Sequence, residues 1–280
     1  MTPSERPSRP FADYLVAREG LPPRSGLAFD YILAADGLFV ATEGDLLAVR
    51  LPVAPCRLRG DRIAPVGTAC ALRRGRLPRA VWAACLAHAE DAARAGREVA
   101  VLVTHRPDGG ASGRYRVIRP PQTVTATRAE YDEPALAPGE TVLLSFHSHH
   151  AMRAYFSPTD DGDERQLRLY AVVGRLGTPR PEVALRVGFN GHWLPLPWET
   201  VFDGERGSFR DAQFDLPDET SVGDTDHNLS AQRSGCRPAH PAWPRLGLSG
   251  VLALLASGRF ARPEPDVALL IGDDSREVLP

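Results

Sequence analysis

The segment Thr141–Asp160, TVLLSFHSHHAMRAYFSPTD, constrains the fold more than any other stretch of the chain. Its first half, TVLLSFH, is an apolar, β-branched run that reads as a buried strand, and residues two apart on a strand face the same side. His147 and His149 therefore point toward one place. Its second half reads as a helix start: Ser157 at the N-cap, Pro158 at the first helical position and Asp160 at the third. A fold that brings this strand end and this helix start together gathers two imidazoles, a carboxylate and a hydroxyl. That donor set can close around one zinc ion and leave a coordination position open for water.

Each piece alone has an ordinary explanation. Ser157 and Asp160 make a common capping box, and two histidines at a strand end are commonly hydrogen-bonded polar residues. The whole pattern is another matter. From the frequencies of His, Ser and Asp here, a chance match to H-x-H, seven residues and S-x-x-D is expected about once in a thousand chains of this length. His150, Asp161 and Asp163 crowd the same stretch. They are read as supporting or solvated residues, because three protein ligands plus water complete a catalytic zinc.

These residues resemble the signature of the JAMM or MPN-plus metalloproteases, of which the prokaryotic JAB-type proteins are one branch. The resemblance implies that His147, His149 and Asp160 bind Zn2+. It also implies that Ser157 helps hold the water or the oxyanion, and that a glutamate upstream is the general acid and base. In that family the glutamate opens the strand after the first core helix. Residues 77–96, LPRAVWAACLAHAEDAARAG, read as that helix, with Pro78 in the first turn, Val81, Trp82, Cys85, Leu86 and Ala89 at helical spacing, and Gly96 as the stop. Glu98 follows, at the head of the expected strand EVAVLVT, and is the candidate base; on its own it reads as a solvated residue at a strand entrance. Glu90 and Glu140 are the rival candidates. A narrower resemblance over residues 27–203, to the JAB-type component of the bacterial PRTRC system, implies neighbours of E1-like and ubiquitin-like type.

The remaining pattern agrees with an α/β fold, a mixed β-sheet flanked by helices. A turn at 107–110 precedes a returning strand at 113–119, TVTAT at 123–127 is extended, and strands are expected at 167–174 and 182–189. One mixed sheet is expected to account for residues 76–200, and the resemblance implies a cytidine-deaminase-like JAB/MPN core. The expected organisation is a flexible N-terminus at 1–25, a β-rich extension at 26–75, the core at 76–203, a flexible connector at 204–245 and a tail with a short helix at 246–280. The extension is read as two or three antiparallel strands that lengthen the core sheet, dock a partner or wall the substrate groove.

With 280 residues and 43% hydrophobic content the chain can bury a sizeable core, and a net charge of −2 argues against nucleic-acid binding as its main task. The basic run 73–76 reads as a solvated linker. Cys56, Cys70, Cys85 and Cys236 form no C-x-x-C pair, which fits a reducing cytoplasm, and GVLALLA at 250–256 is too short to span a bilayer. The resemblance implies a substrate in the form of a ubiquitin-like protein or its conjugates, cleaved after the C-terminal tail, with an E1-like or E2-like operon partner and no membrane partner. A peptidase that processes a ubiquitin-like or sulfur-carrier precursor, and a non-catalytic MPN scaffold, are the alternatives. A nucleoside deaminase is disfavoured by the absence of its H-x-E and P-C-x-x-C pair.

Overall fold

The structure is a computed structural model that describes residues 11–58, 62–110, 114–125 and 129–214. Two sheets share one hydrophobic core. The first has five strands in the order β1 (Ala12–Val16), β2 (Phe29–Ala34), β3 (Gly37–Glu43), β4 (Leu47–Ala54) and β5 (Ala69–Leu72). β1 runs parallel to β2, and the other neighbours are antiparallel. This departs from the two or three antiparallel strands expected. Ala12–Val16 also belongs to the ladder rather than to a flexible N-terminus. Nothing in the sequence of a strand names its partner, so the parallel edge pairing was hidden.

Helix α1 (Arg79–Arg94) follows, burying Val81, Trp82, Cys85, Ala89 and Ala92 at three- and four-residue spacing. Gly96 ends this segment at φ 67°, a left-handed conformation that only glycine adopts at no cost. The second sheet comes next in the chain, with β6 (Ala100–His105), β7 (Tyr115–Ile118), β10 (Thr141–Ser148), β11 (Arg168–Gly174), β12 (Glu182–Phe189), β13 (His192–Pro195) and β14 (Arg210–Asp211). Its order is β13-β12-β11-β10-β6-β7, with β14 on β12. β10 and β11 are parallel, so the chain between them must cross over, and that crossover carries helix α2 (Pro158–Asp163). Among the described residues the last helix, α3, spans Trp198–Val201.

Alternation along these strands divides their side chains between two faces. Val101, Phe146, Ala171 and Leu185 face a core formed with α1 and the first sheet. Trp82 anchors that core, its ring lying 6.1 Å from Phe146, 6.0 Å from Trp198, 5.1 Å from Phe202 and 5.4 Å from Phe209. Phe29 joins the sheets through Phe189, ring centroids 5.5 Å apart. The opposite face presents Ser145 and His147 of β10, Tyr170 of β11 and Arg186 of β12. The first sheet therefore packs behind the core sheet and does not lengthen it.

Three further expectations change. Residues 122–124 do not join the main sheet: β8 (Gln122–Val124) pairs with β9 (Ala129–Tyr131) as a separate two-stranded ribbon. The strand after α1 begins at Ala100, because the Glu98 N–H donates to the Thr125 carbonyl at 3.0 Å and leaves the β6 ladder. The chain also stays with the core past residue 203, where Phe209 packs on Trp82 and Asp211 is buried in β14. The rest of the expected connector, and the tail helix, lie outside the described residues.

Candidate metal centre

β10 ends at the site. The His149 N–H donates to the Val173 carbonyl at 2.7 Å, which carries the strand's alternation one residue beyond Ser148. His147 and His149 then face the same point, their Nε2 atoms 3.2 Å apart. On His149 the Nδ1–H donates to the Arg153 carbonyl at 3.1 Å, so Nε2 keeps its lone pair for the site. Burial pushes both imidazoles toward the neutral, ligating form.

Asp160 completes the cluster from α2. The Ser157 N–H donates to Asp160 Oδ2 at 2.6 Å, while the Asp160 N–H donates to Ser157 Oγ at 3.2 Å. The capping box thus occupies one carboxylate oxygen and turns the other outward. That second oxygen lies 3.6 Å from His147 Nε2, and one donor atom from each of the three residues falls within 4.8 Å of the others. A tetrahedral zinc about 2.05 Å from two nitrogens holds them about 3.3 Å apart. The observed 3.2 Å fits that group.

Glu98 reaches the site by a different route. Val99 and Ser148 exchange hydrogen bonds, Ser148 N–H to the Val99 carbonyl at 3.0 Å and Val99 N–H to Ser148 Oγ at 3.1 Å. This staple binds the segment before β6 to the metal strand. The Glu98 side chain is 3% exposed, and its Oε1 has no hydrogen-bond partner. Burial first, and the nearby Asp160 charge second, push its carboxyl up to about 7. A buried carboxyl that stays part-protonated near neutral pH can both take and return a proton.

Glu98, His147, His149, Ser157 and Asp160 line one cavity of about 1050 Å³. Ser145, Tyr170 and the β8–β9 ribbon extend its wall, and Gln122 holds that ribbon in place by bonding both the N–H and the carbonyl of Ala100 at 2.9 Å. Among the described residues, none from 11–75 lines this cavity. The rival glutamates lie elsewhere. Glu140 accepts from Thr104 at 2.5 Å and from two Arg116 nitrogens at 2.9 Å, and Glu90 is exposed on α1.

His150 turns away, at φ 48°, and bonds the Ala93 carbonyl at the end of α1 at 3.1 Å. Asp161 bonds Arg186, and exposed Asp163 lines the cavity. Sequence reasoning missed Arg186, Glu164 and Gln122. For Arg186 there was a signal, a lone cation inside the apolar run EVALRVGF.

A family model described as prokaryotic homologs of the JAB domain matches residues 78–187. The matched region runs from the start of α1 into β12 and contains all five residues named above. This part of the chain is therefore similar to the JAB-domain family, and the mixed α/β fold is consistent with it. No curated protein matches the chain. No helix among the described residues is long and apolar enough to cross a membrane.

Proposed function

We propose that residues 78–187 form a zinc-dependent amide hydrolase that cuts after the C-terminal tail of a ubiquitin-like protein. One observation carries the reading: an unpartnered, buried glutamate oxygen shares a cavity with three converging donors of zinc-ligand type. His147, His149 and Asp160 would hold the ion. Bound there, zinc supplies Lewis acidity, lowering the pKa of a bound water toward ~7 and polarising the scissile carbonyl.

The protein's own groups do the rest. Glu98 takes a proton from the attacking water and later hands it to the leaving amine. Ser157 Oγ accepts the Asp160 N–H, so its own O–H is free to donate to the oxyanion, a contribution of about 3 kcal/mol when such a donor is well placed. The β8–β9 ribbon and Tyr170 form part of the cavity's wall. Resemblance to JAB-type proteins supports the ubiquitin-like substrate, presented as an extended tail.

Elemental analysis of the full chain should give close to one zinc, lost in His149→Ala and Asp160→Ala. Glu98→Gln should keep the metal and lose cleavage of a modifier fused through its glycine tail, while a scrambled-tail fusion stays intact in every variant. Full metal occupancy in both ligand variants would overturn the site. Equal cleavage of the two fusions, or of neither with zinc bound, would overturn the substrate.

A further inference from the structure

Asp160 is a ligand from a helix that cannot hold its own position. α2 has six residues, none of them buried, and so short a helix is unstable in isolation. The capping box orients the Asp160 carboxylate relative to α2 only. Something else must fix α2 relative to the strand that carries the histidines.

Arg186 does this from β12. It is a buried cation on the site face of the sheet. Its Nη1–H donates to Asp161 Oδ1 at 2.7 Å and its Nε–H to Glu164 Oε2 at 2.8 Å, with Nη2 on the same Glu164 oxygen. Its Cζ lies over the Phe156 ring, 3.7 Å from the centroid, and over the Trp193 ring, 4.6 Å from the centroid. One side chain therefore grips the residue before the N-cap, the middle of the helix and its C-cap. The other ties are fewer: the Asn190 N–H donates to the Arg165 carbonyl at 2.7 Å, and Phe156 packs against Ala154, Val172 and Ala184.

We propose that Arg186 is a positioning residue that clamps α2 to β12 and so sets the distance from Asp160 to the histidine pair. It touches no ligand of the ion and acts through the helix. The role needs a planar fork, since a lysine ammonium is a point charge that cannot bond both carboxylates while stacking on an aromatic face. The inference rests on the metal-site reading above, and its test separates the two.

Zinc affinity of the full chain is measured by competition with a chromophoric chelator, and the visible absorption of the Co2+-substituted protein reports ligand geometry. Arg186→Lys should bind zinc roughly 10- to 100-fold more weakly, the range for groups that orient metal ligands, and should show a shifted, weaker Co2+ band with a wild-type near-ultraviolet dichroism. If Arg186→Lys does not fold, Asp161→Asn and Glu164→Gln each remove one carboxylate from the clamp and should move affinity in the same direction by less. A role in stability alone would lower the melting temperature and leave affinity and the Co2+ band unmoved. Wild-type affinity in folded Arg186→Lys, or in both carboxylate variants, overturns the clamp and leaves the site standing. A wild-type chain that binds no zinc overturns both.

Discussion

Removing the Glu98 charge should stabilise the metal-free protein, by an amount that grows as pH rises from about 4.5 to about 7 and is constant above that. Folding carries this carboxyl from the ordinary 4.5 up to about 7, mainly through burial. An acid raised on folding keeps its proton in the native state at pH values where the unfolded chain has lost it, so the penalty is absent below the unfolded pKa, grows between the two values and is complete above the folded one. At about 1.4 kcal/mol per unit, the ionised side chain costs the native state about 3 kcal/mol near pH 8.5 and under about 1 kcal/mol near pH 5. The groups facing it are Asp160, which adds to the cost, and two imidazoles that burial keeps neutral. Urea unfolding of chelator-treated wild type and Glu98→Gln at those two pH values reads the difference directly. Glu98→Gln should gain about 2 to 3 kcal/mol over wild type at the higher pH relative to the lower. A gain that is the same at both would refute the burial of an ionisable Glu98, and a gain larger near pH 5 would reverse the sign of the argument.

Two substitutions away from the chemistry test how the site is supported. Gly174→Ala would place a Cβ 2.4 Å from the Met152 carbonyl oxygen and 2.5 Å from the Ala154 nitrogen, both backbone, so the loop that presents the Arg153 carbonyl to His149 must move. Overpacking of this kind costs about 1 to 3 kcal/mol, and the melting temperature and the zinc content of the variant should fall together. Trp82→Ala empties the centre of the aromatic cluster and should cost about 3 to 5 kcal/mol by denaturant unfolding; a loss under about 1 kcal/mol would show that Trp82 does not organise the core.

Local features of this chain were legible in its sequence and long-range ones were not. α1 shows itself through the spacing of Val81, Trp82, Cys85 and Ala89 and through Gly96, because a helix is written in consecutive residues. The capping box at Ser157 and Asp160 is legible for the same reason, as is the shared face of His147 and His149. Strand partners are set by contacts far apart in the chain. β2 is buried along its whole length, so no alternation marks a face, and its parallel neighbour β1 left no signature. The extended stretch at 123–127 was placed in the one mixed sheet because such a pattern carries no information about which sheet it joins, and its partner at Ala129–Tyr131 was not read as a strand. Phe209 and Asp211 were missed because a polar, glycine-rich stretch was read as a connector from its composition, while two residues in it were enough to bring it back to β12. Glu98 was singled out by its place in the order of elements that the resemblance supplied, and it stands two residues before the strand that it was expected to open.

The three donors sit on parts of the molecule with different lifetimes. His147 belongs to β10, hydrogen-bonded on both sides by β6 and β11, where exchange of backbone amides requires the sheet itself to open. Asp160 rides on a single turn and a half of helix with no buried side chain, so its free energy of opening rests on the Arg186 clamp and a few other ties rather than on burial of its own. An ion held by all three would therefore leave by way of α2. Its off-rate would follow the flicker of that one short helix, while the histidine pair waits, already aligned, for the next ion to arrive.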